Sequence, residues 1–223
     1  MLEPGRIDAQ RRDLDDRAEQ CGRVDVRAGD TTSTVAVDAE GRAVSFIHSL
    51  AFTFGAKFTV PGTGVVLNNR LGRGAYLLPG HPNEVAPRRK PLHTLNAWIV
   101  TDQAGAVRHV GNTPGGDGQV QWNMQLLSHL LDHGLDPAEA VSAPRFTVFP
   151  GSDADVLGAA PELRVEETLA ESVRDELSAA GHRVTVQQAW GAGGSAQIIS
   201  RDERGILSGA ADPRQEGVTL GVD

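Results

Sequence analysis

The run Thr31-Thr-Ser-Thr-Val-Ala-Val37 decides the fold, because the sequence first takes on a regular pattern there. Polar and apolar β-forming residues alternate through this run, which is typical of a half-buried strand. Asp38-Ala-Glu-Gly41 follows as a turn whose glycine can adopt a positive φ. Residues 42–54 then predict a second strand, so we expect this part of the chain to form a β-hairpin.

The segments on either side of the hairpin differ in character. Residues 1–30 carry 6 basic and 8 acidic residues without a sustained apolar period, which predicts an exposed arm. Beyond the hairpin the patterns predict strands and helices over these residues: strands at 95–101, 107–110, 162–165, 184–187, 196–200 and 206–210, and helices at 119–133, from 137, and from a capping box at 168–171 to Gly181. This order predicts an α+β fold in which antiparallel sheet and helices pack in layers.

Composition excludes several classes of protein. The net charge of −8 argues against nonspecific binding to nucleic acids or to an anionic membrane surface. Cys21 is the single cysteine, so an intrachain disulfide cannot form and a cysteine-based zinc site is not expected. No apolar run approaches the ~18 residues of a membrane span, and the start of the chain lacks the apolar region of a signal peptide. On this evidence we expect a cytoplasmic protein.

The junction of Asp30 and Thr31 has a possible chemical meaning. A threonine hydroxyl is a weak nucleophile unless a base lies beside it, and a free N-terminal α-amine is such a base. Its pKa of about 8 suits neutral pH. Thr31 could therefore be a nucleophile that is released by cleavage of the Asp30–Thr31 bond. Taken by itself, the junction is more commonly just the start of a strand.

A glycine-rich stretch, Thr113-Pro-Gly-Gly-Asp-Gly-Gln119, joins a predicted strand to a predicted helix. Paired glycines let backbone N–H groups approach a ligand closely, and a helix N-terminus favours negative charge. An oxyanion hole has this geometry. An ordinary β–α turn is the alternative, whereas a phosphate-binding P-loop is excluded because no GK[ST] sequence follows.

Together these features resemble the small subunit of the gamma-glutamyltransferase (gamma-glutamyltranspeptidase) family of N-terminal nucleophile hydrolases. The resemblance runs from about Thr31 to Val222. It is carried, in the right order and spacing, by these segments: Thr31-Thr32, Val35-Ala-Val-Asp38, Gly41, Ala43-Val44, Thr53-Phe54-Gly55, Leu67-Asn68-Asn69, Pro114-Gly115-Gly116, Ala143-Pro144-Arg145, Ala180-Gly181-His182 and Gly209-Ala-Ala-Asp-Pro-Arg214.

The resemblance implies a four-layer αββα sandwich, whose sheet is completed by a large subunit, and an active site without a cofactor. Residues 1–30 would be a remnant arm on the large-subunit side of the cleavage site, and residues 31–223 the small subunit. The large subunit would be a separate chain or an upstream segment. Thr31, released from Asp30, would be the nucleophile, Ser49 would support it, and Gly115 and Gly116 would stabilise the oxyanion.

Departures from the family pattern indicate an altered substrate. After Leu-Asn-Asn, the family's gamma-glutamyl transferases have an acidic or amide residue and then an acidic pair, which hold the substrate's ammonium. This chain has Arg70 and Arg73 there instead. Ala51 replaces an asparagine, and His93-Thr94 replace a serine pair. An ammonium beside Arg73 would be repelled, whereas a carboxylate would be bound.

These departures favour an acidic, non-glutamyl substrate that is cleaved at an amide or at a C–C bond next to a carbonyl. Such a reaction could belong to antibiotic metabolism. Three alternatives stay open. The protein could be an ordinary gamma-glutamyltransferase or glutathione hydrolase, it could be a non-catalytic or truncated subunit, or Arg70 and Arg73 could be solvated loop residues.

Two weaker patterns are best explained as structural. His129 and His133 are spaced i, i+4 as in some zinc helices, but they lie at a helix C-terminus, where cationic groups are common. We therefore expect no metal site. Asp212-Pro-Arg214 predicts a turn with an internal ion pair.

Overall fold

The computed structural model describes residues 31–151 and 158–222. The predicted arm of residues 1–30, including Asp30 of the proposed cleavage site, lies outside the described residues.

The predicted hairpin is present. Strand β1, Thr31–Val37, pairs antiparallel with β2, Ala43–Ser49, in a register that sets Thr31 opposite Ser49. Both strands alternate between half-buried and exposed residues, as the sequence pattern predicts. The second strand is shorter than predicted, because Ala51 takes a φ of +72° and turns the chain.

The rest of the described chain adds seven strands, three helices and a short 3-10 turn at Arg70–Gly72. The strands are β3, Trp98–Thr101; β4, Val107–Asn112; β5, Phe146–Phe149; β6, Glu162–Glu166; β7, Val184–Gln187; β8, Gln197–Arg201; and β9, Leu207–Ala211. The helices are α1, Gly118–Leu131; α2, Pro137–Ser142; and α3, Glu171–Ala179.

An antiparallel four-stranded sheet in the order β3-β4-β8-β9 forms the centre of the molecule. Helices α1 and α2 cover one face of it through an apolar cluster: Leu126, Leu130, Ala140, Val141, Ala196, Ile198 and Ala210. The hairpin lies on the opposite face, where Ser45 Oγ donates to the carbonyl of Gly111 over 2.8 Å. The described residues therefore stack as helices, sheet and hairpin, which are three layers of an α+β sandwich.

The outer face of the hairpin carries apolar side chains that no described element covers. Val44 and Phe46, two residues apart on β2, are each 56% exposed. A fourth, helical layer of an αββα sandwich would lie against this face.

A smaller sheet in the order β5-β6-β7 lies beside the helical layer, with β6 and β7 parallel. Helix α3 precedes β7 and has no buried residue. The capping box predicted at Thr168 is wrong, since α3 begins at Glu171 with Ala170 as its N-cap and no side-chain cap. The capping box predicted at Asp136 is confirmed at the start of α2. Among the described residues, no helix has the length and apolar character needed to cross a membrane.

Candidate active site

The two hydroxyls predicted to act together lie in direct contact. Thr31 and Ser49 are cross-strand partners on the inner face of the hairpin, and their Oγ1 and Oγ atoms are 2.7 Å apart. Ser49 Oγ also accepts a hydrogen bond from the N–H of Ala51 over 3.0 Å. The strand register and the turn at Ala51 therefore fix the Ser49 hydroxyl beside that of Thr31.

Thr31 opens onto a cavity. The first residues of β1 line a space of 330 Å³ together with Pro114, Ser195 and the C-terminal residues 215–220. Pro114 directly precedes the glycine pair, so the glycine-rich loop begins at the wall of this cavity, while Gly115 lines a second space of 230 Å³ with Arg73 and Trp122.

The glycine pair forms the connection between β4 and α1. Gly115 and Gly116 have φ values of +128° and +56°, which residues with a side chain rarely adopt. Their carbonyls accept from the N–H groups of Gly118 and Gln119 over 3.1 Å each, which starts the helix. Side chains leave no room for a Cβ at either glycine, since it would collide with Trp122 at Gly115 and with Arg73 at Gly116.

The structure separates the two arginines of the predicted substrate loop. Arg70 Nη2 donates to the carbonyl of Arg73 over 2.7 Å, and Arg70 Nη1 lies 3.3 Å from Thr94 Oγ1. Arg70 therefore holds the loop together. The Arg73 guanidinium instead lies 5.1 Å from the ring centroid of Phe52 and packs against Gly116. Of the two, Arg73 is the one beside the candidate oxyanion loop.

The remaining predicted substrate residues are placed differently. Ala51 is buried next to Ser49, and its methyl group offers no hydrogen bond to a substrate. Thr94 is buried against Arg70, whereas the neighbouring His93 is exposed. The structure thus places Ala51 beside Ser49 of the hydroxyl pair and Arg73 beside Gly116 of the glycine pair. Thr94 instead contacts Arg70 within the protein.

A buried cluster of four charged residues is the main feature that the sequence did not predict in full. The predicted pair of Asp212 and Arg214 is present at 3.0 Å, and Arg214 also bonds Glu166 at 2.5 Å. Arg145 joins the cluster through a 2.7 Å contact with Asp212. Burial opposes the charge of Arg214, yet Glu166 and Asp212 raise its pKa, while burial lowers the pKa of Arg145. Only the spacing of Asp212 and Arg214 gave a sequence signal for this cluster.

His129 lies in the last turn of α1, and His133 follows the end of that helix. The rings of His129 and His133 have centroids 6.1 Å apart, and burial followed by the charge of His133 lowers the pKa of His129. Within residues 31–151 and 158–222, no group of three or more candidate metal ligands comes together.

Comparison with known proteins identifies the family and supports the fold. The family model described as gamma-glutamyltranspeptidase matches residues 1–222. The chain belongs to the gamma-glutamyltranspeptidase family. Among solved structures, the family's gamma-glutamyltranspeptidase from Pseudomonas nitroreducens complexed with L-DON superposes with a TM-score of 0.70 at 28% identity, over 86% of this chain and 100% of that chain.

Two relatives are named for different activities. The glutathione hydrolase-like YwrD proenzyme of Bacillus subtilis is 36% identical over 194 residues, and the oxamate amidohydrolase proenzyme of Klebsiella pneumoniae is 36% identical over 196 residues. Each match covers 86% of this chain and 36% of the relative, so the chain spans about a third of the length of these proteins.

Proposed function

We propose that this chain carries the catalytic part of an N-terminal threonine hydrolase or acyltransferase that acts on a small acidic amide or acyl compound. The observation that carries the proposal is the 2.7 Å contact between the hydroxyls of Thr31 and Ser49 at the first position of β1. Cleavage of the Asp30–Thr31 bond would place a free α-amine on the same residue as the hydroxyl, so that nucleophile and base share one position.

The proposed reaction has two steps, acylation of Thr31 and hydrolysis of the resulting ester, and both use the Thr31 amine and the glycine N–H groups. The Thr31 amine takes the hydroxyl proton while Oγ1 attacks the carbonyl carbon, and the developing oxyanion accepts from backbone N–H groups of Gly115 and Gly116. The C–N bond then breaks, and the leaving amine takes the proton from the ammonium of Thr31. Water attacks the resulting ester by the same route and releases the acid, or an acceptor amine takes the acyl group instead.

The proposed acidic substrate rests on Arg73 and on what Ala51 lacks. At an effective dielectric constant of 20, two like charges ~4 Å apart repel by about 4 kcal/mol, which corresponds to roughly a thousandfold loss of affinity. A substrate ammonium near the Arg73 guanidinium would meet this repulsion, whereas a carboxylate would be attracted. The similarity to an oxamate amidohydrolase supports an acidic amide without a free amine.

Glutathione hydrolysis is the second candidate function. It is favoured by the similarity to several glutathione hydrolases, including the glutathione hydrolase proenzyme of Escherichia coli, which is 33% identical over 193 residues. The two candidates share the nucleophile and differ in the group that recognises the substrate, so substrate preference separates them.

A large subunit of the same family, either a separate chain or an upstream segment, is the proposed partner. The exposed face of the hairpin, where Val44 and Phe46 are open to solvent, supports the need for a large subunit that covers it. We expect residues 31–223 expressed alone to aggregate or to bind hydrophobic dyes, and co-expression with a large subunit of the family to give a soluble heterodimer.

The experiment compares substrates on the processed heterodimer. We expect its small subunit to begin at Thr31, and kcat/KM for oxamate to exceed that for a gamma-glutamyl anilide by at least tenfold. Arg73→Glu should reverse this preference, while Thr31→Ala should abolish cleavage and activity.

Each assignment fails on a different result. A kcat/KM of about 10⁴ M⁻¹ s⁻¹ or above for the gamma-glutamyl anilide would return the protein to the glutathione hydrolases. Active protein that still contains an intact Asp30–Thr31 bond would refute the assignment of Thr31 as an N-terminal nucleophile. A chain that is never cut and has no activity would be a non-catalytic subunit.

A further inference from the structure

The indole of Trp122 is enclosed by glycines from two separate segments. Trp122 lies in the first turns of α1 and is 5% exposed. A Cβ added to Gly115 or Gly118 would overlap its six-membered ring, and a Cβ on Gly194 would lie 2.7 Å from Cε3. The backbone of both glycine segments therefore touches the ring directly, at a distance that other residue types would not permit.

Polar groups fix the indole in the ring plane and above it. Its Nε1–H donates to Thr147 Oγ1 over 2.8 Å, and the Arg145 guanidinium lies 5.7 Å from the ring centroid. Arg145 is itself held by Asp212 at 2.7 Å and by the carbonyl of Gly193 at 3.0 Å. The ring is thus held at one edge by a hydrogen bond and at one face by a cation that the buried charged cluster immobilises.

We infer that Trp122 is a positioning residue that holds the backbone of Gly115 in place for oxyanion stabilisation. The inference rests on the proposed function, which gives Gly115 and Gly116 that role. Glycine at a positive φ is the most mobile residue type in an unsupported loop, and an oxyanion donor is effective only when it is already oriented before the reaction. The indole supplies the missing restraint, because it packs where a side chain on Gly115 would lie.

The test measures kcat and KM separately on the processed protein assembled with its large subunit. Loss of one oxyanion donor lowers kcat by about 10²–10³-fold in other enzymes. We expect Trp122→Ala to lower kcat about 100-fold with KM within threefold of the wild-type value. Trp122→Phe keeps one aromatic ring but loses the bond to Thr147 and part of the ring that contacts the glycines, so its kcat should fall less, by three- to tenfold.

Trp98→Phe is the matched control. Trp98 donates its indole N–H to Asn123 Oδ1 over 2.9 Å and packs against the same helix, but on the side of the central sheet. This variant removes an equivalent hydrogen bond without touching the glycine segments, and its kcat should remain within twofold of wild type. A boronic acid that forms a tetrahedral adduct with the nucleophile should lose affinity in parallel with kcat in the Trp122 variants and not in this control.

The outcomes distinguish the inference from the function beneath it. A Trp122→Ala enzyme with kcat within threefold of wild type, or with a raised KM and an unchanged kcat, overturns the positioning role while Thr31→Ala still shows that Thr31 is essential. Wild-type protein as inactive as Thr31→Ala refutes the proposed function instead. If Trp122→Ala does not fold, Trp122→Phe and Thr147→Val decide, because each should lower kcat three- to tenfold at constant KM, and an unchanged kcat in both overturns the inference.

Discussion

Replacing Glu166 by glutamine exchanges one side-chain oxygen for an NH₂ group. We expect this small change to destabilise the protein strongly. Glu166 ends β6 and is fully buried. Its Oε2 accepts from the backbone N–H of Arg145 and from Arg214 Nη2, and its Oε1 accepts from the N–H of Ala192 and from Arg214 Nε. All four bonds measure between 2.5 and 3.1 Å.

The size of the effect follows from this donor count. A glutamine amide has one oxygen and one NH₂ group, so in either orientation the NH₂ would face two donors, one of them a guanidinium N–H. Each donor left unpaired costs about 1–3 kcal/mol. The charge balance changes too, since Arg145 and Arg214 would face Asp212 alone. Removing one partner from a buried ion pair costs about 3–5 kcal/mol, which predicts a fall in Tm of roughly 10 °C for a protein of this size.

Glu167→Gln is the matched control for thermal unfolding at pH 7. Glu167 is the next residue and is exposed, and its Oε1 accepts from the N–H of Ala189 over 2.9 Å. The chemical change is identical, but water can solvate the groups that lose a partner, so the shift in Tm should stay below about 3 °C. If the two variants unfold at the same temperature, the reasoning from buried donors is refuted.

Two further variants test the hydroxyl pair and an ion cluster. Ser49→Ala removes the hydroxyl 2.7 Å from Thr31 Oγ1 and should lower kcat about 10–100-fold at constant KM, with Ser49→Thr recovering most of it; equal kcat in the alanine variant and wild type would contradict this. Hydrogen bonds from Arg183 and Arg164 lower the pKa of Glu162 from 4.5 to about 2, so its stabilisation is full above pH 4.5 and is lost as the pH falls towards 2. The Tm difference between wild type and Glu162→Gln should therefore shrink over that range, and a difference that stays constant from pH 7 to pH 2.5 would disprove the assignment.

Local patterns predicted the elements whose causes are local. The alternation of residues 31–37, the turn at Gly41 and the capping box at Asp136 each depend on neighbours within a few residues, and all are present in the structure. The capping box at Thr168 failed although it has the right residue types, because the chain enters the helix two residues later, at Ala170. A capping motif therefore permits a helix start without fixing its position.

Roles that depend on distant partners could not be predicted in this way. Glu166 and the exposed Glu167 are adjacent residues of the same type, so their identity does not distinguish their roles. Glu166 differs because Arg214, 48 residues further along the chain, bonds its carboxylate. The same holds for the substrate loop. Arg70 and Arg73 are three residues apart, but Arg70 contacts Thr94 and the carbonyl of Arg73, whereas Arg73 packs on Phe52 and Gly116.

The parts of the candidate site also differ in how firmly the fold holds them. The hydroxyls of Thr31 and Ser49 are set by strand register, and Gly115 by a buried indole within the core of the molecule. Arg73 belongs instead to a loop that follows a single 3-10 turn, with Leu71 and Gly72 exposed beside it. Substitutions in that loop would therefore change the charge beside Gly116 without moving the hydroxyls of Thr31 and Ser49.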